Sequence, residues 1–444
     1  MKRFYFMMTV GAMTAISALM SSATVNASES GSVIYVKEGA SGTGTSADDA
    51  MGDLAAAVAS AADMSACAVR LAPGTYTLSS TLAVPAGVSL EATGEKPVVT
   101  ISGDGAVIAL GAGTAEKYAS LSGINVSGAT AGRGVTASAY SRIYDCIIEN
   151  NHATGKVSGS DSDGAGVWLD TNARLENSII RNNITEYVCG GVAIHGDNVL
   201  LKNCFVTGNN SKGTQTNPSW GISVGGILIW GTKDGVASAP AKDIEGVKVV
   251  NTTVAGNTGR SIGGAWMDVT SKSEWINCVI WNNTKGTTQS QLSVKNTHVF
   301  TNYYSNQGSS VITVTQLSNS NTEDSEKNGT TLLAPHFTDP AKGDYTLAAE
   351  SPLVDAGNDE AYGDGLATDF DLAGNPRKLG ASIDVGAYES SSTSSIESVG
   401  SDGVKGDVVP KYFNLQGMPV PASSLRQGEV YIMQTGATSK KVVM

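Results

Sequence analysis

Seven segments of this chain share the form Asn-x-x-(Ile/Val)-x-x-Asn or a close variant. They are Gly123/Val126/Ala129, Asp145/Ile148/Asn151, Asn177/Ile180/Asn183, Asn203/Val206/Asn209, Asn251/Val254/Asn257, Asn277/Ile280/Asn283 and Asn296/Val299/Asn302. Their starts lie 22, 32, 26, 48, 26 and 19 residues apart. A small residue follows the first position in most copies: Cys146, Ser178, Cys204, Thr252, Cys278 and Thr297. Between copies comes a glycine pair or near-pair that opens an alternating apolar run, at Gly164-Ala165-Gly166-Val167, Gly190-Gly191-Val192, Gly225-Gly226-Ile227 and Gly263-Gly264-Ala265. A unit this short cannot bury its own apolar residue, so neighbouring units must stack into one continuous core. Short β-branched strands with Asn or Gly at the corners make an all-β chain wound as a parallel β-solenoid. Asn tolerates left-handed backbone, and its amide can bond the same Asn one coil away. Glycine permits sharp corners. The competing fold, a β-sandwich, gives no reason for Asn to return to one place in a unit of 26 residues.

The ends of the chain read differently. Met1-Lys2-Arg3, an uncharged stretch from Phe4 to Met20 and the small residues Val25-Asn26-Ala27 form a secretory signal, assigned to residues 1–27. The apolar part is short and glycine-interrupted for a membrane span of ~20 residues, and no later stretch is long and apolar enough to cross a bilayer. The formal net charge of −12 speaks against a nucleic-acid partner, which needs a basic footprint. Cys67, Cys146, Cys189, Cys204 and Cys278 show no CxxC or Cys/His spacing for zinc. Cys146, Cys204 and Cys278 share one repeat position, which favours buried thiols over a disulfide framework.

At this point a family resemblance is visible. The stretch Val33-Ile34-Tyr35-Val36, the Ala-rich run Leu54 to Ala62, and Val69-Arg70-Leu71-Ala72-Pro73-Gly74-Thr75-Tyr76 look like the N-terminal cap of a β-helix. The segment Ser351-Pro352-Leu353-Val354-Asp355-Ala356-Gly357-Asn358, with Asp371, Gly374-Asn375-Pro376-Arg377 and Ile383-Asp384-Val385-Gly386-Ala387-Tyr388-Glu389, is similar to a C-terminal closing module. Over residues 33 to 389 the chain thus resembles the secreted right-handed parallel β-helix proteins of the pectate-lyase-like superfold, in the form common in Bacteroidetes. Residues 28–80 would be the cap, 81–332 the coils, 333–389 the closing module and 390–409 a Ser/Gly-rich linker. Tyr412-Phe413-Asn414-Leu415-Gln416-Gly417, Gly428 to Ile432 and Lys440 to Val443 resemble the C-terminal sorting domains of the type IX secretion system. For this small β module, 410–444, the resemblance implies export to the cell surface or beyond. A module that only helps to cap the helix is the other reading.

The glycine pair also serves as a ruler. Counting from its second residue, positions +1 and +3 are apolar: Val167/Leu169, Val192/Ile194, Ile227/Ile229 and Ala265/Met267. A strand alternates faces with period two, so positions +2 and +4 point outward. Position +2 holds Trp168, Ala193, Leu228 and Trp266, and position +4 holds Asp170, His195, Trp230 and Asp268. Three of the six tryptophans therefore fall on one outer strip. Indole faces beside carboxylates and an imidazole suit sugar rings. Two readings stand: a glycan-binding groove formed by Trp168, Trp230, Trp266 and Asp197, or a satellite core covered by the inserts Ser211 to Gly221 and Thr232 to Ile244.

Catalysis is the rival use of the same strip, with Asp170, His195 and Asp268 as candidates, either Asp170 with His195 or His195 with Asp197 acting as acid and base. Asp170 and Asp268 stand three coils apart, too far for a glycosidase pair. Lyases of the resembling superfold use a Lys or Arg base and commonly Ca²⁺, and the outward positions hold neither Lys nor Arg. No metal site is assigned; Ca²⁺ at Asp161-Ser162-Asp163-Gly164 or at Asp364, Asp369 and Asp371 is the nearest approach to one, and both sets are short of the six to eight oxygens Ca²⁺ takes. The expected protein is a secreted or surface-displayed monomer that binds an extracellular glycan, with a lyase or hydrolase and a rigid structural spacer as alternatives.

Overall fold

The computed structural model describes residues 31–390 apart from 104, 155–162, 215–221, 232–242, 268–270, 290–291, 294–297, 302–303, 306–316 and 319–334, together with 411–413, 419–420, 425, 430–435 and 438–443. The signal segment, Asp161, Trp220, Asp268 and most of the linker lie outside the described residues. The chain winds as a right-handed parallel β-helix. One coil runs Val167–Leu169, Arg174–Glu176, Ile179–Arg181 and Ile184–Thr185 before the next begins at Val192–Ile194. Equivalent strands of successive coils pair in parallel, which generates four stacked sheets. The first contains Val167–Leu169, the second Arg174–Glu176, the third Ile179–Arg181 and the fourth Ile184–Thr185. The register is strict: Leu169 pairs with Ile194, Ile194 with Ile229 and Ile229 with Met267.

Two asparagine columns hold the corners. The residue that opens each repeat sits in left-handed backbone between the second and third sheets: Asp145, Asn177, Asn203, Asn251 and Asn277, at φ between 43° and 54°. The residue that closes each repeat forms an inner ladder. Asn151 donates through Nδ2 to Asn183 Oδ1 at 2.9 Å, Asn183 to Asn209 at 3.0 Å, Asn209 to Asn257 at 3.0 Å and Asn257 to Asn283 at 2.9 Å. Within the ladder, each accepting Oδ1 also takes the backbone N–H of the donating residue. The left-handed residue at this corner is the one before the ladder Asn, as at Asn150, Asn182, Gly208, Gly256 and Asn282. The glycine pairs serve the ladder by leaving room. A Cβ on Gly191 would lie 2.3 Å from Gly226 O, 3.0 Å from Val206 Cγ1 and 3.2 Å from Asn209 Nδ2, and Gly166 and Gly226 are equally confined. Neither Gly191 nor Gly226 takes positive φ, so close approach rather than corner geometry requires glycine there.

Inside the coils runs one apolar core, from Ile34 to Ile280, that takes in Cys146, Cys204 and Cys278. All five cysteines are free and buried. Each of those three thiols donates to carbonyls of its own and the preceding coil, as Cys204 does to Lys202 O and Leu175 O at 3.3 Å. Ser32–Val36 pairs with Cys67–Leu71, and the helix Leu54–Ala62 closes this end of the core with Leu54, Ala57, Val58 and Ala61. Asp53 caps that helix by accepting from Ala56 N–H.

Of the seventh repeat, Asn296 and Asn302 lie outside the described residues, and Val299 does not continue the third sheet. Val299 pairs with Glu274 in the second sheet, whereas Ile280 belongs to the third. Residues 335–390 run along the flank of the coils. Tyr345, Ala387, Tyr388 and Leu372 pack on Phe205, Ala255 and Ile179, and Leu347, Leu353 and Val385 pack on Val279. Beyond the linker, Lys411–Phe413, Pro419–Val420, Val430–Thr435 and Thr438–Val443 form a four-stranded antiparallel sheet. Among the described residues no helix is long and apolar enough to cross a membrane.

Candidate functional site

The strip lies on the outer face of the first sheet. Trp168, Ala193, Leu228 and Trp266 are register partners on four successive strands, spanning roughly 14 Å at the usual strand spacing. Their inward neighbours join the main core, while Ala193 and Leu228 join a separate outer cluster with Val188, Cys189 and Val224. Trp168, Trp230, Trp266, Tyr187 and Ile222 form the margins of that cluster, each only partly buried. The alternation read from the sequence is therefore observed, and so is cover. Among the described residues, the cover comes from Tyr187 to Cys189 and Ile222 to Val224, at the entrance to the strands. Most of the two inserts expected to supply it lie outside the described residues.

The aromatic side chains stand in two pairs. Trp168 stacks on His195, with ring centroids 5.8 Å apart and planes 23° from parallel. Trp230 meets Trp266 edge-on at 6.1 Å. Between the pairs Ala193 and Leu228 are fully buried beneath Val188, Cys189 and Val224. The indole Nε1 of Trp168 is buried with no hydrogen-bond partner among the described residues.

Behind Trp168 sits a charged group that counting outward positions could not find. Arg133, only 2% exposed, places its guanidinium 5.7 Å from the Trp168 ring centroid. It enters from the residue before Gly134, one coil earlier, rather than from position +2 or +4. Asp163, from the acidic-glycine turn before the first strip strand, lies beside His195, with Oδ2 4.0 Å from Nε2. Burial pushes the Asp163 carboxyl up to about 6, against the opposing pull of Arg133. Burial and then the Arg133 charge push His195 down to about 3, so the imidazole is neutral. The hydrophobic wall thus backs onto a small, buried, polar cluster.

The remaining predicted residues have other duties. Asp170 caps its own turn, accepting from Thr171 N–H at 2.7 Å. Asp197 accepts from Glu245 N–H at 3.0 Å and fixes the next coil's corner. Of the two acid–base pairings considered, the carboxylate found beside His195 belongs to neither; it is Asp163. Asp268 lies outside the described residues. In the closing module, Asp369 pairs with Lys202 at 2.6 Å, and Asp371 accepts from Ala373 and Asn375 N–H. Among the described residues no group of three or more His, Cys, Asp or Glu side chains could hold a metal ion.

No family model matches the chain, and no curated protein matches it. Solved structures similar to it include pectate lyase Pel9A, at 16% identity over 80% of this chain and 96% of that one, with a TM-score of 0.44. A pectin methylesterase from Aspergillus niger is 14% identical over 67% of this chain and 92% of that one, with a TM-score of 0.36. The Dettilon tailspike protein is 13% identical over 62% of each chain, with a TM-score of 0.32.

Proposed function

We propose that this chain is an exported or surface-displayed monomer that binds an extracellular polysaccharide along the first sheet, without cleaving it. The observation that carries the reading is the set of partly exposed tryptophans on the outer face of the first sheet, Trp168 at one end and the Trp230–Trp266 pair at the other. Indole faces cover the apolar faces of sugar rings, and the spacing of roughly 14 Å suits two to three sugar units. Secretion rests on the signal-like N-terminus and the sorting-like tail.

A second reading, polysaccharide cleavage, draws on one observation: a carboxyl raised to about 6 beside a neutral imidazole. Burial weighs against it. The Asp163 and His195 side chains are 6% and 2% exposed, so the pair sits behind the aromatic wall rather than at a substrate surface. Glycan arrays probed with wild type and a Trp168→Ala/Trp266→Ala double variant separate these readings. Expected are wild-type retention of one glycan class with no new reducing ends or unsaturated products, and at least tenfold weaker retention by the variant under conditions where circular dichroism shows it folded. Turnover abolished by Asp163→Asn or His195→Ala would establish the enzyme. Equal retention by both proteins would remove the strip from consideration and leave a structural spacer.

A further inference from the structure

The flank segment 335–390 is fastened to the coils by an unusually charged seam. Arg377 and Glu389 have side chains 0% and 1% exposed, and Arg377 Nη2 donates to Glu389 Oε1 at 2.5 Å. The same guanidinium donates to Asp384 O and Gly386 O. Those two carbonyls also receive the Asn251 side-chain amide from the coils, at 2.8 and 3.1 Å. Three carboxyls line the seam that holds this cation, Asp384 and Glu389 within reach of its charge and Asp371 beside Glu389, and a fourth, Asp355, acts on Asp384. Asp371 accepts from Ala373, Asn375 and Glu389 N–H and from Asn375 Nδ2. Asp384 accepts from Asp355 and Ser390 N–H. Glu389 Oε1 also takes Asp384 N–H, and its Oε2 is buried with no partner among the described residues.

Among the described residues the coils bring no second cation to this seam. They present Asn203, at the limit of hydrogen bonding to Arg377 Nη1, along with Asn251 and Asn277, all uncharged. Lys202 reaches the module but is paired with Asp369, which also accepts the Tyr362 hydroxyl. On the outer side, Lys378 is paired with Asp359. With all three carboxyls ionised, the buried seam would hold more negative than positive charge, which a low-dielectric site resists.

We infer that residues 335–390 form a pH-responsive strap, clasped onto the coils while this cluster holds a proton and loosened when the proton leaves. Burial pushes Glu389 up to about 8 and Asp384 up to about 6. Both values are raised, so the stabilisation they carry is complete in acid and is lost as pH rises through them. For Asp384 the loss is over by about pH 6; for Glu389 it continues to about pH 8. Opening would uncover Phe205, Ala255 and Val279, which the strap now buries.

Hydrogen-exchange protection factors on the full-length mature protein at pH 6 and pH 9, corrected for intrinsic exchange, test this. The wild-type strap should lose roughly 10- to 100-fold in protection while the amides of the inner asparagine ladder hold theirs, a single group giving tenfold per unit of pH. Glu389→Gln cannot release a proton and should remove that pH dependence, whereas Asp384→Asn should keep it, since Asp384 titrates below this range. Flat protection in the wild type, or an undiminished fall in Glu389→Gln, would overturn the inference.

Discussion

The two asparagine columns come from the same repeat, six residues apart, yet they do different work. The inner ladder is closed on itself. Asn183, Asn209, Asn257 and Asn283 each spend one amide proton or oxygen on a copy of themselves and donate to a carbonyl of a preceding coil, as Asn209 does to Ile180 O at 2.9 Å. The corner column bonds to itself only in part, Asn203 to Asn177 and Asn277 to Asn251. Its remaining groups face outward and grip the strap at Phe370 O, Asp384 O, Gly386 O and Asn358. Repetition of a residue type therefore does not imply repetition of a role. The side of the backbone on which the amide emerges decides whether it builds the cylinder or holds something to it.

Breaking the inner ladder should have the largest effect. Asn209→Ala would leave Asn183 N–H and one of the two Asn183 Nδ2 protons without a partner in a buried interior, and would remove the amide bond to Ile180 O. The expected cost is about 3 kcal/mol or more, visible as a lower urea midpoint for the whole coil region. A change confined to residues 335–390 would contradict the division drawn here. The corner column should respond locally. Asn251→Gly keeps the left-handed backbone available and removes two bonds to the strap, for about 1–2 kcal/mol, seen as faster exchange in the strap with the ladder amides unchanged. The smallest effect is none at all. Burial pushes the thiols of Cys146, Cys204 and Cys278 up to about 12, so a maleimide at pH 8 should leave them unlabelled in the native protein and in Asn251→Gly, and label them only in urea. Labelling in the native Asn251→Gly variant would mean that the corner column also seals the core.

The sequence made the fold legible because a solenoid writes its register directly into its spacing. Asn177 to Asn203 and Asn251 to Asn277 are 26 residues apart, and that interval is one coil. The purpose of the glycine pairs was harder to read. Nothing local distinguishes a glycine needed for a corner from one needed so that Asn209 can pass beside it. The strip was legible in its alternation, which placed Trp168, Ala193, Leu228 and Trp266 on one outer face. Alternation says nothing of what folds back over a face. Arg133 and Asp163 reach the strip from the turns that precede the strands, where no period governs direction, so the buried polar cluster had no signature in the pattern.

The ladder's rungs are separated by 32, 26, 48 and 26 residues along the chain, yet each rung is bonded to the next at 2.9 or 3.0 Å. The surplus length enters on either side of the first sheet, between Ala153 and Val167, between Ser211 and Ile227, and between Trp230 and Val247. Because the entropy of closing a longer loop grows only logarithmically, such additions cost the cylinder little. The architecture separates a conserved-length scaffold from an adjustable margin, so the surroundings of the tryptophan strip can be rewritten by insertion or deletion without disturbing a single rung.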